Sequence, residues 1–276
     1  MKFKIAVVQF DVKRLAPEEN IKKTEIFIKK AAGNQVNVIV FPEDFITDPL
    51  MDRTDFADDK GKYKKLFQEL ARKYSIDIVM GSVVEKEKKG LFNNSYYIDA
   101  NGKILANYKK INLWLPERSY ITPGNKISVF NTKYGKAGLI ICWDAAFPEM
   151  FRKMVQQGVK IVYCPSYWCY GEAGNGIEID ENSEIKLVDA LCVVRAFENE
   201  VVFVYCNAAG ESLRQEDEGT DTLIGHSQIA IPFKGCIKKL EHNKEEMFIE
   251  EIDMDVLELA EESKKIKEDI LNRILY

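Results

Sequence analysis

Unbroken apolar runs alternate with segments of helical period along most of this chain, and that alternation constrains its fold more than any other feature. Lys4 to Phe10, Asn37 to Phe41, Ile76 to Val84, Lys160 to Cys164 and Val201 to Cys206 read as strands. Their apolar, β-branched character suits burial on both faces. Pro17 to Ala32, Lys60 to Tyr74, Pro148 to Gln157 and Ile185 to Asn199 read as helices; Tyr63, Leu66, Phe67 and Leu70, for example, share one helical face. Other strands are linked by hairpins. Asn94 to Asp99 and Lys103 to Tyr108 flank Ala100-Asn101-Gly102, and Val129 to Thr132 and Lys136 to Ile141 flank Tyr134-Gly135. Gly225 to Phe233, Cys236 to Leu240 and Met247 to Asp253 are late strands, followed by a charged helix, Asp255 to Lys267, and a final arm within 255–276. The pattern predicts an α/β chain with mixed sheets covered by helices. With no Pro- or Ser-rich linker and no internal repeat, one domain over residues 1–276 is expected.

Composition excludes several classes of function. The formal net charge of -5, from 39 basic and 44 acidic residues, leaves no basic excess for nucleic acid. No apolar stretch reaches the roughly 18 residues of a membrane span, and Met1-Lys2-Phe3-Lys4 leads into a strand too short for a signal peptide. A cytoplasmic protein is therefore expected, acting on a small molecule rather than on nucleic acid or a membrane. Of the 6 cysteines, Cys142, Cys164, Cys192 and Cys206 lie in strand-like apolar contexts. That suits reduced, buried thiols better than a disulfide framework.

Cys142 stands apart from the other three. It ends the run Gly138-Leu139-Ile140-Ile141 and precedes Trp143, Asp144, Phe147, Pro148 and Glu149, so it falls where a strand ends and a helix begins. Ligands bind at that edge of open α/β sheets. A thiol there is either a small core residue or a nucleophile whose pKa a helix N-terminus lowers. A nucleophile needs a base and an oxyanion partner. The two histidines fit poorly: His242 lies in a polar turn, and His226 starts a late strand where it is either near a site or simply buried. Two distant histidines and no paired C-x-x-C also lack the ligand spacing of a zinc site, and no metal is expected. Glu43, directly after Val38-Ile39-Val40-Phe41-Pro42, can serve as a base with a raised pKa. Lys110, after the strand Ile104 to Tyr108, can stabilise an oxyanion. Singly, each is more often a structural ion pair or a surface charge; three such groups, each ending a strand, make a stronger case together. Gly171 to Ser183 lacks periodicity and carries three glycines and several carboxylates, the makings of a binding loop, a lid or a mobile surface loop.

Phe41-Pro42-Glu43, Tyr108-Lys109-Lys110-x-x-Leu113 and Gly138-x-x-Ile141-Cys142-Trp143-Asp144-x-x-Phe147-Pro148-Glu149 together resemble the three signature blocks of the nitrilase superfamily, the carbon-nitrogen hydrolases. Val8-Gln9, Pro165-Ser166-x-Trp168, Arg195-Ala196-x-Glu198-Asn199 and Gly225-His226-Ser227-x-Ile229 extend the resemblance over nearly the whole chain. It implies a four-layer α-β-β-α sandwich assembled as a homodimer or larger homo-oligomer. It also implies Glu43 as general base, Lys110 as oxyanion stabiliser, Cys142 as nucleophile, Glu117 as a second glutamate, and no cofactor. Trp143, Tyr167 and Trp168 are the candidate substrate-binding residues. Asn112 stands where a histidine often precedes the leucine, which changes local hydrogen bonding rather than abolishing catalysis. Ile231-Pro232 replaces the usual Asp-Pro. Ala145-Ala146 lack the arginine that can grip a substrate carboxylate, and Asp144 replaces the glutamate of most nitrile-cleaving members. The expected activity is hydrolysis of a small amide or N-carbamoyl compound through a thioester. An ammonia-supplying glutaminase subunit, a nitrilase and a catalytically silent binding protein are the alternatives.

Overall fold

Alternate residues of the first strand, Lys2–Asp11, face opposite layers. Ile5 and Val7 face a core shared with Val38, Val40, Val79, Tyr163, Val202 and Val204. Ala6, Val8 and Phe10 face the other way, against Ile28 and Ala31 of the helix Pro17–Gly33 and Phe67 and Leu70 of the helix Lys62–Tyr74. A strand covered on both faces needs apolar residues at every position, which is why these strands read as continuous runs. This computed structural model describes residues 1–213 and 219–272.

Lys2–Asp11, Val38–Val40 and Asp77–Val79 run parallel. Glu246–Asp253 joins one side antiparallel, and Gly90–Ile98, with Ile104–Lys109 and Val83–Glu87, extends the other. In the second group, Val202–Ala209, Ile161–Ser166 and Gly135–Leu139 run parallel, flanked by the antiparallel strands Gln228–Ile231, Gly235–Lys239 and Ser128–Thr132. Pairing of Phe10 with Ala208 and Asp11 with Ala209 joins the two halves into one curled, mixed sheet. The helices Pro148–Val155 and Ser183–Asn199 cover the far side through Met150, Phe151, Met154, Val188, Cys192 and Ala196. The layers are thus helix, sheet, sheet, helix, as expected. All six cysteines are unpaired and five are buried. No helix among the described residues is long and apolar enough to cross a membrane.

Three local expectations are corrected. Ile76 to Val84 is not one strand; it breaks into Asp77–Val79 and Val83–Glu87. Gly81 has φ +65°, and a Cβ there would sit 2.1 Å from the Pro42 carbonyl oxygen, so the break lets this segment close against the turn that carries Glu43. Gly171 to Ser183 is not irregular: Tyr170–Glu178 is 3₁₀-helical, kinked at Gly174, and the following helix starts at Ser183. Asp255 to Lys267 is not one helix. It stops at Lys264, Lys265 turns left-handed at φ 57°, and Ile266–Asn272 forms a new helix in place of an arm. The buried Glu200 carboxylate, accepting the backbone N–H groups of Ile266 and Lys267, caps that new start. The arm's last residues, 273–276, lie outside the described residues.

Candidate active site

Glu43, Lys110 and Cys142 each follow the end of a strand, and the strand ends converge. Phe41 is still held to the sheet, its N–H donating to Val79 O at 3.1 Å, before Pro42 removes a donor and the chain turns. Glu43 N–H then donates across to Ser166 O, tying the two halves together at the site. Lys110 leaves Ile104–Lys109 with its N–H on Asn93 O at 2.9 Å. Ile140 remains bonded to Tyr163 O past the end of Gly135–Leu139, and Cys142 then opens the 3₁₀ turn Cys142–Ala146. Cys142 has φ 47°, a left-handed conformation that costs a non-glycine residue about 1–2 kcal/mol. Such strain persists where surrounding contacts over-determine it.

Asp144 supplies those contacts. Its Oδ2 accepts from Tyr108 OH at 2.7 Å and Ile141 N at 3.0 Å, and its Oδ1 accepts from Asn112 N at 2.8 Å and Asn112 Nδ2 at 2.9 Å. Asn112, the departure from the family histidine, is thus part of the clamp on the Cys142 turn. Behind the turn, Arg195 donates to the carbonyls of Ala145 and Ala146 at 3.0 and 3.2 Å. Burial pushes the Asp144 carboxyl upward, against the opposing bond from Tyr108.

The charged centre is buried. Glu43 and Lys110 are each 2% exposed and Cys142 is 4% exposed. Lys110 Nζ sits 2.8 Å from Glu43 Oε1 and 2.6 Å from Glu117 Oε2. Burial pushes Glu43 up to about 7; Lys110 opposes this and Glu117 adds to it. Burial would lower Lys110, but Glu117 and Glu43 outweigh it and hold the ammonium well above its ordinary value. Burial and the Glu43 charge push the Cys142 thiol well up, with Lys110 opposing. This corrects the expectation of a lowered thiol pKa at a helix start: the 3₁₀ turn Cys142–Ala146 and Phe147 separate the thiol from the helix start at Pro148, and burial dominates.

Glu117, in the 3₁₀ turn Pro116–Ser119, also accepts from Trp114 N at 2.7 Å. Asn93 was missed in the sequence. Its side-chain amide donates to Glu43 Oε1 at 2.8 Å and Glu117 Oε1 at 3.2 Å. The signal was present: Asn93-Asn94 places two amides inside a strand, where asparagine is disfavoured. Trp143 lies beside Cys142, packed between Trp114 at 4.6 Å and Trp168 at 5.5 Å. Trp168 is fully buried, and its indole N–H donates to Glu184 at 2.6 Å. Tyr167 meets the site through its backbone N–H, which counters the rise of the Cys142 pKa. Its side chain turns away into the layer beneath the first helices, where its hydroxyl donates to Asp48. His226 belongs elsewhere, 3.2 Å from Asp189, which also accepts from Gln228 and Lys239. His242 pairs with Glu246 at 3.1 Å.

A thiol, two carboxylates and an ammonium converge here from strand ends of both sheets. The carbon-nitrogen hydrolase family profile matches residues 4–262. The chain belongs to the carbon-nitrogen hydrolase family. It is 29% identical over 275 residues to the 2-oxoglutaramate amidase of Bacillus subtilis, covering 98% of both chains. It is also 29% identical over 268 residues to the N-carbamoylputrescine amidase of Oryza sativa, covering 92% of this chain and 87% of the relative. Its fold is that of the carbon-nitrogen hydrolase from Helicobacter pylori, with a TM-score of 0.89 at 22% identity, covering 98% of this chain and 95% of that one.

Proposed function

We propose that this carbon-nitrogen hydrolase cleaves the C–N bond of a small amide or N-carbamoyl compound, with Cys142 as nucleophile and no cofactor. The observation that carries the reading is Lys110 held between Glu43 and Glu117 beside a buried Cys142 on a left-handed turn. Glu43 takes the Sγ proton as sulfur attacks the carbonyl carbon. Lys110 Nζ and the Trp143 backbone N–H take the oxyanion. When the oxyanion collapses, the C–N bond breaks and the leaving nitrogen receives the proton from Glu43. The thioester is then attacked by water, which gives a proton to Glu43. The second collapse expels the thiolate, and that proton returns to sulfur. Glu117 and Asn93 position Lys110 and Glu43. The test is intact-mass detection of an acyl adduct on Cys142, with ammonia release from a panel of amides, carbamoyl compounds and nitriles. Turnover without any adduct, retained in Cys142→Ala, would sink the mechanism.

The chain is also proposed to act as a homodimer or larger homo-oligomer. Leu187, Val194 and Phe197 of Ser183–Asn199 are exposed and share one helical face. Isolated exposed apolar residues are ordinary, but a stripe on one helix suits a second copy of the same face. Sedimentation of the wild-type chain and of Phe197→Glu tests this; a wild-type monomer would overturn it.

A further inference from the structure

We propose that Asp48 and Tyr167 are positioning residues, joined in a strut across the two halves of the sheet that sets the Glu43 base against the Cys142 thiol. This rests on the roles of Glu43 and Cys142 in the reading above, and it gives Tyr167 a task other than contact with substrate.

The strut is built from the segments that follow two strand ends. After Glu43 the chain closes a tight turn, in which the N–H groups of Thr47 and Asp48 both donate to Asp44 O, at 3.2 and 2.8 Å. Asp48 sits in that turn at φ 67°, where aspartate is tolerated better than most residues. Its buried carboxylate accepts from the Tyr167 hydroxyl on Oδ1 and from Arg14 Nη1 on Oδ2, the latter at 3.2 Å. Arg14 also donates to Pro49 O, and Leu15 N–H to Thr47 O, each at 2.9 Å, so the chain leaving the first strand backs the turn. On the other side, Tyr167 directly follows the strand Ile161–Ser166. Its neighbour Trp168 is pinned to Asn207, with its N–H on Oδ1 at 2.8 Å and its carbonyl accepting from Nδ2 at 3.2 Å.

These two segments touch both reacting groups. Ser166 O accepts the Glu43 N–H at 3.3 Å, and Cys164 Sγ lies 4.0 Å from Cys142 O. A single main-chain bond between two turns leaves them free to pivot about it. The bond from Tyr167 to Asp48 is a second tie, beyond Glu43 on one segment and beyond Ser166 on the other, and two ties fix an orientation that one cannot. Neither side chain has to reach the substrate for this, since the Tyr167 ring lies in the cluster beneath the first helices. A buried hydroxyl and a buried carboxylate are each costly to leave unpaired, so the tie holds. Ser212 also bonds the Tyr167 hydroxyl, and a change at Asp48 therefore isolates the tie to the Glu43 segment.

The test uses Tyr167→Phe, which removes only the hydroxyl, and Asp48→Gly, which removes the acceptor at a φ that glycine fits. Tyr97→Phe is the control. Its hydroxyl also donates to a buried aspartate, Asp77 Oδ2 at 2.8 Å, but Asp77 pairs with Val38, at the end of the strands away from Glu43. Alkylation of Cys142 by iodoacetamide reads base and thiol without a substrate: sulfur displaces iodide as its proton passes to Glu43. Intact mass gives the rate, and peptide mapping separates Cys142 from the partly exposed Cys236. Each strut variant is expected to slow alkylation about fivefold or more at pH 7. Tyr97→Phe should stay within about twofold of the wild type while losing similar stability. Asp48→Asn, which keeps an acceptor for the hydroxyl, should recover most of the rate. With hexanamide, the strut variants should lose about tenfold in kcat with KM nearly unchanged. Alkylation unchanged in both strut variants, or slowed equally in Tyr97→Phe, overturns the strut and leaves the amide reading standing. Strut-dependent alkylation with no turnover of any amide, carbamoyl compound or nitrile overturns that reading and leaves the strut.

Discussion

Asn93 Nδ2 donates to Glu43 Oε1 at 2.8 Å, in the buried floor of the site, to the same oxygen that Lys110 approaches from another side. A donor aimed at a carboxylate favours its ionised form. Burial pushes Glu43 up to about 7, so with Glu43 as the proposed base the acid limb of kcat/KM should have its midpoint near there. Asn93→Ala should move that limb to higher pH by about one unit, the scale of a hydrogen bond to a charged group. A pH–rate profile decides, and a limb unmoved or shifted down would remove Asn93 from this role. The folded state also holds the Glu43 proton more tightly than the unfolded chain does. Its contribution to stability is therefore present below its ordinary value of 4.5 and lost as pH rises through about 7.

Glu43, Lys110 and Cys142 should separate from the other buried thiols by what their loss damages. Cys142→Ala is expected to abolish turnover with the melting temperature nearly unchanged. Glu43→Gln and Lys110→Ala should each lower kcat by about a hundredfold or more. Lys110→Arg should not restore it, because a planar fork cannot sit where a compact ammonium bridges two carboxylates. Cys164 is fully buried, its pKa pushed up to about 12 by burial. Cys164→Ala should cost about 1 kcal/mol of stability through lost packing and leave most of the turnover. Steady-state rates with thermal melts of each variant distinguish these cases. A folded Glu43→Gln enzyme of normal kcat would exclude Glu43 as the base.

The Asp144 clamp predicts a loss of both stability and rate. Asp144→Ala would leave the buried N–H groups of Ile141 and Asn112 without an acceptor, at roughly 2–4 kcal/mol. It would also release the left-handed turn that aims Cys142. Asp144→Asn is no gentle substitute, because donors meet both carboxylate oxygens and one oxygen would become an NH₂. Both variants should lose at least tenfold in kcat. Tyr108→Phe removes one of four bonds and should cost about 1 kcal/mol with a smaller rate effect. Full activity in a folded Asp144→Ala protein would show that the turn holds itself.

The layered fold was legible because strands buried on both faces must be apolar throughout, and helices covering them must be amphipathic. The convergence of Glu43, Lys110 and Cys142 was legible because each ends such a run with a charge or a thiol, and a chain turning out of a sheet at that point can reach a ligand. The positions of Asn93 and Asp144 were less so. Their roles depend on which residues from distant elements face them: Asn93 sits 50 residues from Glu43 in sequence, and Asp144 sits 36 from Tyr108. The rise of the Cys142 pKa was not legible either, since location at a strand end says nothing about how much water remains. Gly171 to Ser183 looked irregular because short 3₁₀ turns have no apolar period to betray them.

Gly81 is where the misread strand break bears on catalysis. Its φ of +65° is one that a side chain adopts only with strain, and an added Cβ would meet the Pro42 carbonyl oxygen at 2.1 Å and a Phe45 ring carbon at 2.8 Å. Pro42 O accepts from Ser82 N–H, and Ser82 Oγ accepts from Asp44 N–H, so residues 81–82 brace the turn on both sides of Glu43. Backbone cannot yield cheaply there. Gly81→Ala is therefore expected to displace Glu43 rather than only to strain itself, costing more than about 2 kcal/mol in stability. A shift of even about 1 Å in a catalytic group can cost a hundredfold in rate. Gly235→Ala is the control. It too has a positive φ, +66°, but its Cβ would meet only a Val193 methyl at 3.8 Å. That variant should lose stability by about 1 kcal/mol with kcat intact. Equal kcat in the two alanine variants, measured where both remain folded, would separate the strand break from the positioning of Glu43.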